Sequence, residues 1–271
     1  MSAPLVEVKT VSKTYTRRTA GQSTTHKALD NVSFAMTKPE RVALIGPSGS
    51  GKSTLLRSIA GLHTIDRGEG SVAVMGRTVQ ANGRLSGDVR AIRSGLGLIA
   101  QQFNLVPRLS LFTNAALGLL GRVSGLRGLL GLWSAEEKRR IMAALDQVGV
   151  AHLASQRANT LSGGQQQRGA IARAIVQQAQ VVLADEPVAS LDPVSARKVM
   201  KLLVELNEKA GVGVVVTLHH VDYAKLYCTR ILALKDGVIV YDGSAEGLDD
   251  ARLRDIYGAE YEDAHWEEPN A

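Results

Sequence analysis

Cysteine and aromatic residues are scarce in this chain of 271 residues, and each shortage excludes a structural feature or a class of binding site. Cys228 is the only cysteine, so an internal disulfide is excluded and a reducing compartment is favoured. Aromatic residues make up 4% of the chain, too few for the stacking platforms that hold single-stranded nucleic acid.

Long hydrophobic runs and a secretion signal are also missing from the sequence. The N-terminus has no charged segment followed by an apolar one, which is the pattern of a signal peptide. A membrane-spanning helix needs about 20 apolar residues, and the closest stretch, 115–133, is interrupted by Arg122 and Arg127. We therefore expect a soluble chain that reaches a membrane only through partner chains.

What is present is a large apolar fraction and an excess of positive charge. Hydrophobic residues make up 45% of the chain, enough for a substantial core. The formal net charge is +6. An excess of this kind fits nucleic acid, an anionic membrane surface or an ordinary basic surface, so charge alone does not choose a partner.

A glycine-rich stretch with the pattern G-x-x-x-x-G-K-[ST] organises the sequence. Its glycines let backbone N–H groups surround an anion, Lys52 supplies a positive charge for the β- and γ-phosphates, and Ser53 supplies a hydroxyl for Mg²⁺. The apolar run 41–45 predicts a strand before the loop, and 52–61 predicts a helix after it. The motif consists of Gly46, Pro47, Ser48, Gly49, Ser50, Gly51, Lys52, Ser53 and Thr54.

The opening of the chain, up to position 90, is predicted to be rich in strands, and the stretch 104–178 is predicted to be rich in helices. Alternating residues predict strands at 5–9 and 32–36, and the polar stretch 16–25 predicts a loop. Further along, Ser134 and Glu137 form the sequence of a capping box, which starts a helix. We interpret this helical part as an insertion within an α/β domain.

The α/β pattern then resumes. The run 181–184 has the composition of a buried parallel strand, and 212–217 is another apolar strand. Asp192 followed by proline predicts a helix start. Asp236 followed by glycine predicts a hairpin, and the acidic end of the chain predicts one short helix and a frayed tail.

Two further motifs carry chemistry. Asp185 and Glu186 follow the strand 181–184, where one carboxylate can hold Mg²⁺ through its water shell and the next can polarise the attacking water. The stretch 161–168 places a serine and two glycines before a helix, which predicts a second anion site. Two phosphate sites in one chain suggest two chains that share two ATP molecules. The second site consists of Ser162, Gly163, Gly164 and Gln165.

A phosphate loop alone allows a kinase, a GTPase or a motor, but with the other motifs in this order residues 1–245 resemble the ATP-binding subunit of an ABC transporter. The resemblance implies an α/β fold: a P-loop NTPase (RecA-like) core, an antiparallel β subdomain and an inserted helical subdomain. It implies one ATPase domain, with its core at 1–100 and 180–245 and its helical insertion at 101–179. A short helix and acidic tail, 246–271, would follow.

The resemblance also assigns roles to single residues. Gln101 stands where the family has its Q-loop glutamine, and His219 stands where it has the switch histidine at the γ-phosphate. Tyr15 matches the aromatic residue that stacks on adenine, and Asp192 lies in the D-loop. Ala100 departs from the aromatic residue often found before the Q-loop glutamine, which puts the packing of that glutamine in doubt.

The implied cofactors are ATP and Mg²⁺. The phosphate loop, Tyr15, the second anion site and Asp192 would bind the nucleotide, and Ser53, Gln101 and Asp185 would face the metal. The implied catalytic residues are Glu186, His219 and Gln101.

Among ABC transporters the chain most resembles the ATPase subunits of phosphonate importers. The partners this implies are a second copy of the chain, two permease subunits and, through them, an extracytoplasmic solute-binding protein, at the cytoplasmic face of the membrane. An ATP-binding subunit never touches the solute, so phosphonate, phosphite and phosphate stay open. The supporting strings lie at 101–106, 185–193, 217–224 and 253–258.

Other functions stay open on the sequence. Another importer or a lipoprotein-release pump would use the same motifs. A nucleic-acid ABC ATPase fits the charge, but the interval between Lys52 and Asp185 shows no sustained heptads and the chain has a single cassette, so we expect no nucleic-acid partner. A nucleotide-binding module without turnover is disfavoured by Glu186 and His219.

Overall fold

The computed structural model describes residues 3–19 and 22–262. Its strands are β1 (Val6–Thr19), β2 (Gln22–Met36), β3 (Arg41–Ile45), β4 (Ser71–Val74), β5 (Arg77–Ala81), β6 (Arg84–Leu85), β7 (Leu96–Ile99), β8 (Val181–Ala184), β9 (Gly213–Thr217), β10 (Arg230–Lys235) and β11 (Val238–Gly243). Its α-helices are α1 (Lys52–Ile59), α2 (Val89–Arg93), α3 (Leu111–Ala116), α4 (Gly125–Leu129), α5 (Ala135–Gln147), α6 (Gly163–Val176), α7 (Pro193–Ala210), α8 (Val221–Tyr227) and α9 (Asp250–Tyr257).

The chain divides into two compact units. The first combines the chain up to Ile92 with the chain from Gly213 onward, and the second is Arg93–Val212. The second unit extends beyond the predicted helical insertion at both ends, because it includes β7, β8 and α7. The single-domain division and its boundaries stay a prediction.

An antiparallel sheet in the first unit has the order β2-β1-β4-β5-β6. The prediction of a loop at 16–25 was wrong. β1 and β2 form a long hairpin in which Tyr15 pairs with His26 and Thr16 with Thr25. The segment reads as a loop because it is polar on both faces, whereas the cross-strand backbone hydrogen bonds of a hairpin need no apolar face.

The strand that leads into the phosphate loop is central to the first unit. β3 pairs in parallel with β9 on one side and with β10 on the other, and β11 continues as an antiparallel neighbour of β10. Val42, Ala43, Leu44 and Ile45 are all fully buried, as a strand covered on both faces requires. The glycine loop therefore begins at the carboxyl edge of buried parallel strands.

The second unit contains two parallel strands, β7 and β8, together with five of the helices. α5 begins with the predicted capping box: the Ser134 side chain accepts the Glu137 N–H, and Glu137 accepts the Ser134 N–H. Asp192 caps the start of α7, whose first residue is a proline, and Gly211 with φ 64° follows its last residue. Within the described residues, no helix is both long and apolar enough to cross a membrane.

Candidate nucleotide-binding site

The phosphate loop connects β3 to α1, as the motif requires. Gly46 has φ 137° and Gly51 has φ 104°, conformations that side chains rarely adopt. A Cβ on Gly46 would lie 2.0 Å from the Leu234 carbonyl oxygen, and one on Gly51 would lie 2.3 Å from that of Ala28. Both glycines are therefore required by backbone conformation and by close packing, which explains their spacing in the motif.

The start of α1 offers backbone N–H groups at the end of the loop. Its N-cap is Gly51, and among the described residues no side chain caps this helix. The Lys52 side chain is buried, and its Nζ donates to the carbonyl oxygens of Gly46 at 2.6 Å and Pro47 at 3.0 Å. A helix N-terminus with a lysine beside it binds anions well, and a polyphosphate fits this loop.

Ser50 and its neighbours complete the loop. The hydroxyl of Ser50 is buried and has no hydrogen-bond partner within the described part of the chain. Ser53 and Thr54 begin α1 and are half-buried. Ser48 and Gly49 are exposed at the tip of the loop, so a ligand can approach this side.

His219 lies in the first unit, two residues after β9. Thr217 pairs with Leu44 of β3, and the N–H of Leu218 donates to the Leu44 carbonyl oxygen at 3.1 Å. Because β3 and β9 are parallel neighbours, His219 and Gly46 emerge at the same edge of the sheet. The switch-histidine prediction requires His219 at this edge, beside the loop that would bind the phosphates.

Tyr15 is about one-third exposed and lies on the long hairpin. Its hydroxyl is 2.6 Å from Nδ1 of His63, and the two rings meet edge to face with centroids 6.0 Å apart. Lys13 places its Nζ 5.3 Å from the Tyr15 ring centroid. Burial, followed by the charges of Arg57 and Lys13, lowers the pKa of His63 and favours its neutral form, which can accept from Tyr15. The sequence did not single out His63.

The second unit brings Gln101, Asp185 and Glu186 to one edge. Ile99 at the end of β7 pairs with Ala184 at the end of β8, and the Asp185 N–H donates to the Ile99 carbonyl oxygen at 2.8 Å. Gln101 is exposed, Asp185 is buried and Glu186 is half-buried. Two carboxylates and a carboxamide therefore follow neighbouring parallel strands.

Several residues around this edge adopt left-handed backbone conformations. Glu186 has φ 48°, Phe103 has φ 60° and Asn104 has φ 51°. Such conformations cost about 1–3 kcal/mol each for residues other than glycine and concentrate at functional sites. The strain at Glu186 is consistent with the catalytic role predicted for it, and no sequence pattern indicated it.

The second predicted anion site is the start of α6. The Ser162 side chain accepts the Gln165 N–H, and Gln165 accepts the Ser162 N–H at 2.9 Å, so the sequence S-G-G-Q forms a capping box. A Cβ on Gly163 would lie 3.2 Å from both Leu191 and Phe103. A Cβ on Gly164 would lie 2.7 Å from the Ser195 hydroxyl. The two glycines therefore let the Q-loop and the D-loop approach this helix start.

Asp192 caps α7 next to the same place. Its side chain accepts the Ser195 N–H at 2.9 Å, and the hydrogen bonds with Ser195 lower the pKa of the Asp192 carboxyl. This carboxylate is therefore engaged with its own helix, as the N-cap pattern predicted.

Arg173 is a residue that sequence reasoning missed. It lies on α6, and its guanidinium donates to the Leu98 carbonyl oxygen at 3.2 Å and to the Asn104 carbonyl oxygen at 2.6 Å. Burial lowers its pKa. It ties the helix that begins at Ser162 to the loop that follows Gln101. Alanines and isoleucines surround it in sequence, so no local motif marks its contacts with the loop.

A dedicated metal site brings several ligating side chains together. Within residues 3–19 and 22–262, no cluster of three or more His, Cys, Asp or Glu side chains could hold an ion. Mg²⁺ typically binds through one or two protein groups plus substrate phosphates and water, so its binding does not require such a cluster.

These features define a class of protein: an α/β protein that binds a nucleotide phosphate through a glycine-rich loop and a buried lysine at the helix start that follows it. The family model described as ABC transporter matches residues 29–189. The chain belongs to the ABC transporter family, and within it is an ATP-hydrolysing subunit.

Curated relatives match over nearly the whole chain. The "Phosphonates import ATP-binding protein PhnC" of Caulobacter vibrioides is 59% identical, with 98% of this chain and 98% of the relative covered. "Phosphonates import ATP-binding protein PhnC 1" of Pseudomonas aeruginosa is 56% identical, with 96% of this chain and 91% of the relative covered.

A solved structure supports the fold independently. The ATP-binding cassette MJ0796, a dimer in a post-hydrolysis state bound to ADP and Pi, superposes with a TM-score of 0.75 at 35% identity. The match covers 89% of this chain and 98% of that one. The predicted family and fold class are thus confirmed. The roles of the individual site residues stay predictions.

Proposed function

We propose that this chain hydrolyses ATP to drive a membrane importer of phosphonates, with phosphite and phosphate as further candidate solutes. The observation that carries the proposal is the 59% identity to a phosphonate import ATP-binding protein over almost the full length of both chains. The phosphate loop, with its three glycines of positive φ and its buried lysine, supports ATP as the energy source.

The proposal gives each predicted site residue a role in ATP binding or hydrolysis. The phosphate loop and Tyr15 bind ATP, and His219 contacts the γ-phosphate. Ser53, Gln101 and Asp185 hold Mg²⁺, which neutralises charge on the transferred phosphoryl group. Glu186 takes the proton of the attacking water as general base.

The proposed assembly contains two copies of the chain. Ser162, Gly163 and Gly164 of one copy face the phosphate loop of the other across ATP, so that binding closes the dimer and hydrolysis reopens it. Two permease subunits carry the solute, and an extracytoplasmic solute-binding protein delivers it. The dimer therefore lies on the cytoplasmic face of the membrane, and no nucleic acid takes part.

The test is reconstitution of the intact transporter with its solute-binding protein in lipid vesicles. Binding protein loaded with 2-aminoethylphosphonate is expected to stimulate ATP hydrolysis and solute uptake, and phosphite and phosphate are compared as further solutes. The matched control is the same transporter assembled with the Glu186→Gln chain, which should neither hydrolyse nor transport at the normal rate. Stimulation only by unrelated solutes would contradict the phosphonate assignment.

A second test addresses the nucleic-acid alternative. Binding of the purified chain to DNA and RNA is measured at rising salt concentration. A specific complex would contradict the transport proposal if the logarithm of its binding constant fell linearly with the logarithm of the salt concentration. That dependence would show contacts between the chain and the phosphates of the nucleic acid.

A further inference from the structure

Two side chains from the C-terminal end of the described chain contact the phosphate loop. The Tyr257 hydroxyl accepts the N–H of Gly46 at 3.1 Å. The Glu260 carboxylate accepts the N–H of Ser48 at 3.0 Å through Oε2. Both donors belong to the loop that binds phosphate, and both acceptors belong to one short segment at the end of α9.

α9 is held firmly enough to place these groups. Leu253 and Ile256 are buried, and Asp249 caps the helix by accepting the Arg252 N–H at 2.9 Å. Lys235 of β10 donates to the Asp255 carbonyl oxygen. The segment is therefore fixed to the same sheet that carries the phosphate loop.

Tyr257 satisfies a backbone group that has little access to water. Gly46 is buried, and a buried backbone N–H without an acceptor destabilises the fold, so the Tyr257 hydroxyl stabilises this part of the loop. The Tyr257 ring is buried too, and burial raises the pKa of its hydroxyl to about 12. The phenol therefore stays neutral at physiological pH.

Glu260 brings a negative charge to a loop whose ligand is negative. Its carboxylate uses the same acceptor chemistry toward a backbone N–H as a phosphate oxygen does. A triphosphate that binds the loop must accept repulsion from this carboxylate or displace it.

We propose that Tyr257 and Glu260 belong to the nucleotide site: Tyr257 positions the phosphate loop, and Glu260 opposes the bound triphosphate and lowers the affinity for ATP. The C-terminal segment of this chain thereby sets how tightly the nucleotide is held, an effect separate from the identity of the transported solute.

The charge effect is tested with Glu260→Gln against the matched control Glu262→Gln, which removes the same charge from an exposed position two residues further on. Equilibrium binding of MgATP to the purified full chain is measured at low and at high salt. Glu260→Gln is expected to tighten binding about three- to tenfold at low salt, with a smaller gain at high salt, and Glu262→Gln to leave it unchanged.

Two results would overturn the role of Glu260. Equal effects of the two substitutions would make the carboxylate an ordinary surface charge. Weaker ATP binding by Glu260→Gln would mean that the carboxylate supports the loop instead of opposing the nucleotide.

The positioning role is tested with Tyr257→Phe, which keeps the ring and removes the acceptor, against Tyr261→Phe on the same segment. Tyr257→Phe is expected to weaken MgATP binding about tenfold and to raise KM in the intact transporter more than it lowers kcat. Thermal unfolding without nucleotide separates this from a fold defect. A lower unfolding temperature with unchanged ATP affinity at a temperature where both chains are folded would reduce Tyr257 to a structural residue.

Discussion

The two helix starts assigned to phosphate binding are built in opposite ways. α1 begins after Gly51 with φ 104°, and within the described residues it has no side-chain cap. α6 begins at Ser162, whose side chain and that of Gln165 bond to each other's backbone N–H groups. The start of α1 therefore lacks a side-chain cap within the described residues, whereas the capping box of α6 pairs backbone N–H groups at its own start.

The difference indicates which helix start can act alone. The phosphate loop combines a buried lysine and two closely packed glycines with a helix start that no described side chain caps, so it can hold an anion within one chain. Ser162 at the start of α6 is exposed and forms a capping box, as does Ser134 at the start of α5, which no motif connects with phosphate. We therefore expect the phosphate loop to determine nucleotide affinity and Ser162 to act only on a nucleotide that another copy already holds.

The largest expected effect separates binding from chemistry. Lys52→Ala removes the charge beside the start of α1 and should abolish MgATP binding to the isolated chain. Glu186→Gln keeps the shape of the side chain and should bind MgATP normally while hydrolysis falls about 10²–10⁴-fold. Equilibrium binding and single-turnover hydrolysis are measured on both chains at fixed Mg²⁺. Near-normal turnover by Glu186→Gln would mean that water is activated by another group.

A second prediction concerns the glycines of the phosphate loop. Gly51→Ala forces a Cβ to within 2.3 Å of the Ala28 carbonyl oxygen, whereas no described atom lies within 4 Å of a Cβ on Gly49. Both positions have positive φ, so both substitutions should cost about 1–2 kcal/mol in backbone strain. Gly51→Ala should cost about 1–3 kcal/mol more from overpacking. Urea unfolding of the two variants measures the difference, and equal losses of stability would show that the loop relaxes around the added methyl group.

Sequence patterns predicted most of the elements that hold the site. Arg41–Ile45 and Val181–Ala184 coincide with the predicted strands, because continuous apolar runs need burial on both faces. Ser134 and Asp192 begin helices as predicted, because capping depends on residues within one turn. Local chemistry is therefore readable from sequence.

Features that depend on distant residues were not predicted. The hydroxyl of Tyr257 meets Gly46 from 211 positions away, and the guanidinium of Arg173 meets the Leu98 carbonyl oxygen from 75 positions away. Neither contact is indicated by a periodic pattern or a local motif in the sequence. The left-handed conformation of Glu186 was also missed, since no glycine marks it.

The smallest expected effect compares Ser162 with Ser134. Each serine is exposed and completes a capping box, so Ser162→Ala and Ser134→Ala should each lower the free energy of unfolding by about 1 kcal/mol. Gly164 is a poorer test position, since a side chain there would strike Ser195 in its own chain.

The two serine variants should differ only in their rates of ATP hydrolysis. If Ser162 donates to a phosphate held by the partner copy, its loss should slow ATP hydrolysis by the assembled transporter about tenfold, because hydrogen bonds to charged groups contribute about 1.5–3 kcal/mol. Ser134→Ala should hydrolyse ATP at the normal rate, and both isolated chains should bind MgATP normally. Urea unfolding and steady-state hydrolysis are measured together. Equal hydrolysis by the two variants would reduce Ser162 to a helix cap, whereas weakened ATP binding by the isolated Ser162→Ala chain would place its effect within its own copy.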